Sequence, residues 1–224
     1  MKTIAIIPAY NEEVAIASIV KRSLKYVDRV IVVDDGSVDR TSQRARDAGA
    51  RVIKHYNNLG KGVSLKDAFA EVRGFDIVVT IDGDGQHNPD EMMNLMRPIR
   101  ETRADLVNGS RYLNGNDDAP SHIRAGQRIL NIATNITSGT HVTDSQSGFR
   151  AFSGKTIPYF RFRDTGFGIE SEMLADAVEN NFRIVEVPIT VRYDVENSST
   201  KGPAAHVSSV LVKIIIDKLV RTFR

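Results

Sequence analysis

Residues 77–87 read Ile-Val-Val-Thr-Ile-Asp-Gly-Asp-Gly-Gln-His, and this sequence is the strongest indication of the fold. Its first five residues, Ile77 to Ile81, are all β-branched, which predicts a buried strand. Two carboxylates, Asp82 and Asp84, follow directly, and an unpaired carboxylate is very costly to bury. We therefore expect the strand to end at the edge of a sheet, with both carboxylates in the loop that follows it.

A pair of carboxylates in this position suits a hard divalent cation. Mg²⁺ and Mn²⁺ prefer oxygen ligands, and Mg²⁺ usually binds through one or two carboxylates together with substrate phosphates. The glycines of the stretch would let a phosphate approach the backbone closely. Considered alone, the stretch is explained equally well as an acidic loop. A calcium-binding EF-hand loop is excluded, because its sixth and twelfth positions would be His87 and Met93 instead of Gly and Glu.

Strands alternate with helices over the first 110 residues. The predicted strands are Thr3–Ile7, Arg29–Val33, Arg51–Lys54, Asp76–Ile81 and Ala104–Asn108. This order predicts an α/β fold with a single Rossmann-like, mostly parallel sheet flanked by helices. Ligands of such sheets bind beyond the carboxyl ends of the strands.

Polar loops follow three of these strands, at Pro8–Glu12, Asp34–Ser37 and Asp82–Asp84. Because they leave the same edge of one sheet, we expect them to converge, which favours a binding site over three unrelated loops. We also expect Asn11 to cap the first helix, with Glu12 and Glu13 in its first turn.

Composition limits the classes of protein that remain. The chain has 224 residues, 41% hydrophobic and 26% charged, which fits one large globular domain, alone or with appendages. A net charge of +2 predicts no strong attraction to nucleic acid. The absence of cysteine excludes disulfides and thiolate metal sites. No apolar run is long enough for a signal peptide or a spanning helix, so we expect a cytoplasmic protein.

Several single residues carry an open interpretation. Arg111, Arg150, Arg192 and Lys201 lie in or near polar loops, where each could bind phosphate or be a solvated surface charge. His87 could serve the site or face solvent. The remaining features favour a structural role: Gly60-Lys61-Gly62 lacks the P-loop pattern, and Glu170 and Glu172 suit the start of a helix.

The last segment, residues 207–223, combines an apolar stripe with basic residues. It predicts an amphipathic helix that could pack in the core, form a dimer or lie on a membrane.

Four ordered motifs resemble the signatures of family 2 glycosyltransferases with the GT-A fold: Pro8–Glu13, Asp34–Asp39, Asn58–Gly62 and Asp82–His87. The resemblance extends over residues 3–202. Further motifs make the chain similar to the dolichyl-phosphate mannose or glucose synthases, namely Ser110-Arg111, Ser147–Phe152 and Val185–Ile189.

The resemblance implies a role for each site residue. The base and ribose of a nucleotide sugar would be held by Pro8, Tyr10, Glu12, Val33 and Asp35. Further nucleotide contacts would come from Asp82 and Gly83, and Mg²⁺ or Mn²⁺ would be bound by Asp84 and Gln86. Phosphates of donor or acceptor would meet Arg111, Arg192 and Lys201, with Asp84, Arg111 and Arg192 acting in catalysis.

The function implied is inverting transfer of a hexose from a nucleotide sugar, of the GDP-mannose or UDP-glucose/UDP-GlcNAc type, to a polyprenyl phosphate. Transfer to a glycan or protein hydroxyl, or silent nucleotide-sugar binding, are the alternatives. Residues 1–203 would form the GT-A domain, with a nucleotide half (1–110) and an acceptor half (111–203), and residues 204–224 the C-terminal helix. That helix could place the protein peripherally on the cytoplasmic face of a membrane.

Overall fold

The computed structural model describes residues 1–113, 121–193 and 203–222. Two short 3₁₀ helices, Pro89–Glu91 and Gly154–Tyr159, lie between the elements that are numbered here. The elements run in the order β1 (Thr3–Ala9), α1 (Ile16–Ser23), β2 (Arg29–Asp34), α2 (Thr41–Asp47), β3 (Arg51–Lys54), α3 (Lys61–Ala70), β4 (Ile77–Thr80), α4 (Met92–Arg100), β5 (Leu106–Ser110), α5 (Ser121–Ser138), β6 (Arg150–Ser153), α6 (Ile169–Glu179), β7 (Ile184–Pro188) and α7 (Pro203–Thr222).

The strands form one sheet in the order β3-β2-β1-β4-β6-β5-β7. All neighbours are parallel except β6, which is antiparallel to both β4 and β5. Ala151 shows the insertion clearly, because it pairs with Val79 on one side and Val107 on the other. The predicted mostly parallel sheet flanked by helices is confirmed, whereas the strand inserted between β4 and β5 has no counterpart among the predicted features.

Alternation along β1 divides the core between the two faces of the sheet. Ala5 and Ile7 belong to the cluster packed beneath α1, α2 and α4, whereas Ile4 and Ile6 belong to the cluster beneath α3 and α6. Each of these side chains is at most 1% exposed. A fully buried isoleucine contributes about 1.5–3 kcal/mol, so burial on both faces fixes the sheet that carries the loops.

The first helix begins later than the sequence predicts. Asn11 does not cap it; the residue adopts a positive φ of 57°, and its side-chain oxygen accepts a hydrogen bond from the Val38 N–H at 3.0 Å. The Glu12 N–H is bound instead by Thr41 Oγ1 at 2.8 Å. The Asn11–Glu12 turn is therefore tied to the loop after β2, and α1 starts only at Ile16.

The C-terminal helix packs on α5 and α6. Leu130 of α5 and Val210 and Ile214 of α7 form a third, small apolar cluster. In the described part of the chain, no helix combines the length and the apolar character that crossing a membrane requires.

Candidate active site

The carboxyl ends of the central strands lie at one level. Ala9 pairs with Asp34 across β1 and β2, and the Ile81 N–H bonds to the Ile6 carbonyl at 3.1 Å. The loops that follow open into a cleft of about 400 Å³. Of the predicted site residues, this cleft is lined by Pro8, Tyr10, Glu12, Asp35, Asp82, Gly83 and Asp84.

Asp82 is fixed by a cation that comes from the start of α3. Lys61 Nζ lies 2.6 Å from Asp82 Oδ1 and 2.6 Å from Glu170 Oε1, and His87 Nε2 lies 3.7 Å from Asp82 Oδ2. Burial alone would raise the pKa of Asp82, but Lys61 and His87 outweigh it and hold that pKa well below its usual range. Asp82 is thus an anion on the wall of the cleft.

A glycine makes room for this carboxylate. A Cβ atom at Gly148 would lie 2.3 Å from Asp82 Oδ2 and 2.6 Å from Asp82 Cγ. The Gly148 carbonyl also accepts the Thr80 hydroxyl at 2.9 Å, which ties the segment before β6 to the last residue of β4. The antiparallel strand β6 therefore positions the Asp82–Asp84 loop from behind.

Asp84 sits among like charges. Burial and the nearby Asp82 raise its pKa, and burial together with Asp84 raises the pKa of Glu12 to about 8. Asp84 Oδ1 accepts the Gln86 N–H at 2.9 Å. A bound cation would offset this crowding of carboxylates, so the site fits a divalent ion.

The number of protein ligands is small. Within the described residues, no three histidine, cysteine, aspartate or glutamate side chains converge on one point as a metal centre. Asp84 lines the cleft, so substrate phosphates would complete the coordination of a cation held there, which is the usual arrangement for Mg²⁺.

Asp35 lies at the end of the cleft opposite to Asp82 and Asp84. Its carboxylate accepts the Leu59 N–H at 2.9 Å and the Gly60 N–H at 2.8 Å, and it lies 2.7 Å from His55 Nδ1. These contacts use most of the acceptor positions of a carboxylate. Asp35 therefore shapes the loop that borders the cleft, in addition to lining it.

The loop that precedes α6 closes the cleft at that end. Gly60 has φ +100°, and a Cβ there would lie 2.1 Å from the Thr165 carbonyl oxygen. Asp164 Oδ1 accepts a hydrogen bond from Lys213 Nζ of α7 at 3.0 Å. Through these contacts Gly166, Phe167, Ser209 and Lys213 join the lining of the cleft.

Two predicted cations lie outside the cleft lining. The Arg111 guanidinium donates to both carboxylate oxygens of Asp144 at 2.6 Å. Burial opposes this charge, but Asp144 raises the pKa of Arg111 above its ordinary value. The Arg192 N–H bonds to the Gln86 carbonyl at 2.9 Å, and His87 forms a β-bridge with Val191. Arg192 therefore lies beside the Asp84–Gln86 loop.

The remaining predicted residues are placed elsewhere. Val33 is fully buried in the core beneath α3 and α6, so only its backbone could reach a nucleotide. Arg150 is 1% exposed, and its guanidinium bonds to the carbonyls of Glu170 and Ser145, so it supports the fold and does not face a phosphate. Lys201 lies outside the described residues.

Sequence reasoning misses three residues of the site. It interprets Glu170 as a helix-terminal charge and Lys61 as part of a failed P-loop, yet Lys61 holds Asp82 in place and Glu170 holds Lys61. It assigns Lys213 only to the apolar-basic tail. Lys61 has a usable signal, because it follows β3 and therefore leaves the same sheet edge as the other loops; Glu170 and Lys213 have none.

Comparison with known proteins identifies the class. The profile of Glycosyl transferase family 2 matches residues 4–157. With the mostly parallel sheet and the cleft at its carboxyl edge, this match shows that the chain belongs to family 2 of the glycosyltransferases.

Curated relatives extend over almost the whole chain. A UDP-N-acetylglucosamine–dolichyl-phosphate N-acetylglucosaminyltransferase of Methanococcus voltae is 35% identical, covering 88% of each chain. A dolichyl-phosphate hexose transferase of Haloferax volcanii is 30% identical and covers 95% of this chain and 93% of the relative. An undecaprenyl-phosphate mannosyltransferase of Micrococcus luteus is 31% identical over 85% of this chain and 83% of the relative.

Solved structures show the same GT-A architecture. Glucosyl-3-phosphoglycerate synthase of Mycobacterium tuberculosis, in complex with Mn²⁺, UDP and glucosyl-3-phosphoglycerate, has a TM-score of 0.74 and 26% identity over 98% of this chain and 79% of that chain. The same enzyme with Mg²⁺ and UDP has a TM-score of 0.74 and 27% identity, covering 98% and 78%. These complexes support a metal-using glycosyltransferase.

Proposed function

We propose that this protein transfers a hexose from a nucleotide sugar to a polyprenyl phosphate, with inversion at the anomeric carbon. The observation that carries the proposal is the convergence of Tyr10, Glu12, Asp82 and Asp84 in one cleft. Curated relatives that act on dolichyl or undecaprenyl phosphate support this class of acceptor.

The donor would lie along the cleft between two kinds of wall. Its diphosphate would be placed beside Asp84 and Gln86, with Mg²⁺ or Mn²⁺ held by these two residues. When bound, the cation supplies charge stabilisation for the leaving diphosphate. The nucleoside would extend toward Asp35, past Pro8, Tyr10 and Glu12.

The protein's own cations would act on the phosphates. Arg192 lies beside the Asp84–Gln86 loop, and Arg111 is preorganised by Asp144. Together with Lys201 they would bind the acceptor or donor phosphates. In many enzymes, preorganised charge at the point where negative charge develops contributes more to the rate than any other single effect.

A phosphate acceptor does not require a general base from the protein. A phosphate monoester has a second pKa of about 6 and is largely dianionic near neutral pH. Its oxygen can attack the anomeric carbon without a general base. Residues 1–110 would mainly bind the donor and residues 111–203 the acceptor, within a GT-A domain formed by residues 1–203.

A polyprenyl phosphate lies in a membrane, and α5 and α7 present a surface that suits contact with it. α5 exposes Ile129, Ile132 and Ile136, at 50–74%, and α7 exposes Val212, Ile215, Ile216, Leu219 and Val220, at 42–56%. We name this set the apolar face. We propose that this apolar face lies on the cytoplasmic surface of the membrane.

Acceptor class is tested by incubation with labelled nucleotide sugars, Mn²⁺, and dolichyl or undecaprenyl phosphate. Labelled lipid is the expected product. Transfer to a sugar hydroxyl with no transfer to either lipid phosphate would overturn the polyprenyl proposal.

Membrane contact is tested by liposome flotation of Ile132→Glu and Ile215→Glu. Both substitutions on the apolar face are expected to reduce flotation. Val38→Glu is the matched control, because Val38 is 89% exposed and lies on the loop after β2. Equal flotation of all three variants and the wild type would contradict this contact.

A hydroxyl acceptor is the second candidate, favoured by the likeness to a synthase solved with phosphoglyceric acid. Addition of 3-phosphoglycerate to the same assay separates the two, because this small acid would then carry the label. A silent nucleotide-sugar binder would give no product with any acceptor.

A further inference from the structure

We propose that Glu91 is a positioning residue: its carboxylate holds the segment that follows β7 against the loop after β4, and thereby places Arg192 beside a phosphate of a substrate. The segment is residues 189–192, which we name the β7 extension. The involvement of a phosphate rests on the proposed function, whereas the positioning of Arg192 depends only on contacts within the chain.

The β7 extension begins beside the last residue of β5. The Ile189 N–H donates to the Ser110 carbonyl at 3.0 Å, and Ser110 directly precedes Arg111 in the chain. Ile189 is 4% exposed and belongs to the core cluster beneath α1, α2 and α4. The start of the extension is therefore fixed by a backbone hydrogen bond and by burial.

The rest of the extension runs along the loop after β4. His87 forms a β-bridge with Val191, and the Arg192 N–H donates to the Gln86 carbonyl at 2.9 Å. Both are backbone contacts. Because Thr190 and Arg192 are exposed, burial specifies the register of this part only weakly. A side-chain contact that holds one register therefore matters here.

Glu91 supplies such a contact at Thr190. Glu91 Oε2 accepts the Thr190 N–H at 3.0 Å, and Glu91 Oε1 accepts the Thr190 hydroxyl, also at 3.0 Å. Both bonds go to a carboxylate, and hydrogen bonds to a charged group are about twice as strong as those between neutral groups. One residue of the extension is thus held at two points, two positions before Arg192.

Glu91 is itself held firmly. It is the last residue of the 3₁₀ helix Pro89–Glu91, whose first position is a proline with a fixed φ. The Asn88 side chain caps this helix, and Met92, the next residue, is fully buried. The carboxylate therefore belongs to the more rigid of the two segments, so it determines where the extension lies.

The placement of Arg192 matters because a guanidinium binds a phosphate best through two parallel N–H bonds, which demand a defined orientation. A displacement of about 1 Å in a group that positions a substrate can lower a rate about 100-fold. The phosphate belongs either to the lipid acceptor or to the donor diphosphate. Glu91 would affect either one only through Arg192.

The first test compares two constants in Glu91→Ala. Calorimetric titration with UDP and GDP in the presence of Mn²⁺ gives the affinity for the diphosphate, and the rate of transfer to dolichyl phosphate gives the apparent KM for the acceptor. We expect one of the two to weaken about fivefold, in line with the loss of hydrogen bonds to a charged group. The constant that changes identifies the phosphate. Wild-type values for both would overturn the proposal.

Two further variants frame this comparison. Glu101→Ala is the matched control, because Glu101 is an exposed carboxylate at the opposite end of α4 and pairs with Arg103. It should match the wild type in both constants. Glu91→Gln keeps an oxygen that accepts the Thr190 N–H, so it should stay within about twofold of the wild type.

A double-mutant cycle separates positioning from a merely structural role. In an Arg192→Ala background, adding Glu91→Ala should change the affected constant by less than about twofold, because the group through which Glu91 acts is gone. An undiminished further loss in that background, or wild-type constants in Arg192→Ala alone, would overturn the role of Glu91.

Hydrogen exchange, measured by NMR, tests the positioning without a substrate. In Glu91→Ala, the Thr190 and Arg192 amides should exchange about tenfold faster, while the Ile189 amide, bonded to Ser110, should keep its wild-type rate. Unchanged exchange at Arg192 would overturn the proposal. Faster exchange, combined with no lipid product and no diphosphate binding in the wild type, would instead overturn the proposed function and leave the positioning contact standing.

Discussion

Lys61 Nζ lies 2.6 Å from Asp82 Oδ1, so the carboxylate at the end of β4 is held by a cation from the start of α3. Lys61 is shared with Glu170, a buried residue at the start of α6. Three segments far apart in the chain thus meet at one ammonium, which links the cleft to the packing of α6 on the sheet.

Replacing this ammonium should destabilise the protein. Lys61→Met would leave Asp82 and Glu170 facing each other without a cation, and removing one partner of a buried ion pair costs about 3–5 kcal/mol. Glu170→Gln in the same background should recover part of this loss. Urea denaturation measures both, with Lys66→Met, an exposed position on α3, as the control. Equal stability of Lys61→Met and Lys66→Met would refute the role of the pair.

A methyl group at residue 148 should damage the site from behind. Gly148→Ala would place Cβ 2.3 Å from Asp82 Oδ2, so the carboxylate must move. We expect the affinity for the donor nucleotide to fall at least tenfold, measured by titration with the nucleoside diphosphates UDP and GDP. Gly74→Ala is the control, because no atom lies within 4 Å of its added Cβ and its positive φ affects only stability. Wild-type affinity in Gly148→Ala would show that Asp82 needs no such space.

Loss of the proposed metal ligand should abolish turnover. Asp84→Ala is expected to reduce the transfer rate by about 100-fold or more, in line with removal of charge stabilisation from a leaving group. In a Mn²⁺ titration, the transfer rate of this variant should no longer rise to a plateau as the Mn²⁺ concentration increases. Asp90→Ala removes an exposed carboxylate further along the chain and should leave the rate unchanged. Full activity of Asp84→Ala would contradict the metal site.

Glu12 should make the metal-free protein less stable as pH rises. Its pKa is about 8 in the fold, raised by burial and then Asp84, against about 4.3 in an unfolded chain. The folded state therefore holds this proton more tightly, and that advantage, complete below about pH 4, is lost as pH rises to about 8. Glu12→Gln should melt above the wild type at about pH 8 and equal to it at about pH 4, with chelator present. A constant difference in melting temperature would contradict this origin.

Much of the sheet edge is accessible from sequence because strand ends are local signals. An apolar run followed by Asp82 or Asp34 shows where a strand stops, and parallel order then places such loops together. The sequence assigns Asp84, Glu12 and Tyr10 to one cleft on this basis, and the structure brings them together.

Contacts distant in sequence are not accessible in this way. The pairing of β6 with β4 joins Thr80 to Arg150, and the hydrogen bond from Lys213 to Asp164 spans 49 residues. Neither of these two contacts produces a periodic pattern in the sequence. Asn11 misleads for a related reason: its side chain could serve a helix or a neighbouring loop, and only the fold decides between them.

The antiparallel strand β6 has a consequence for how this chain can be divided. Both of its neighbours, β4 and β5, lie in the first 110 residues, and β5 pairs in turn with β7. A fragment ending at residue 110 would lose β6, which lies between β4 and β5, and the exposed edges of both strands would favour aggregation. Co-expression of residues 1–110 and 111–224 should therefore yield soluble, active protein only when both pieces are made together, whereas either alone should precipitate.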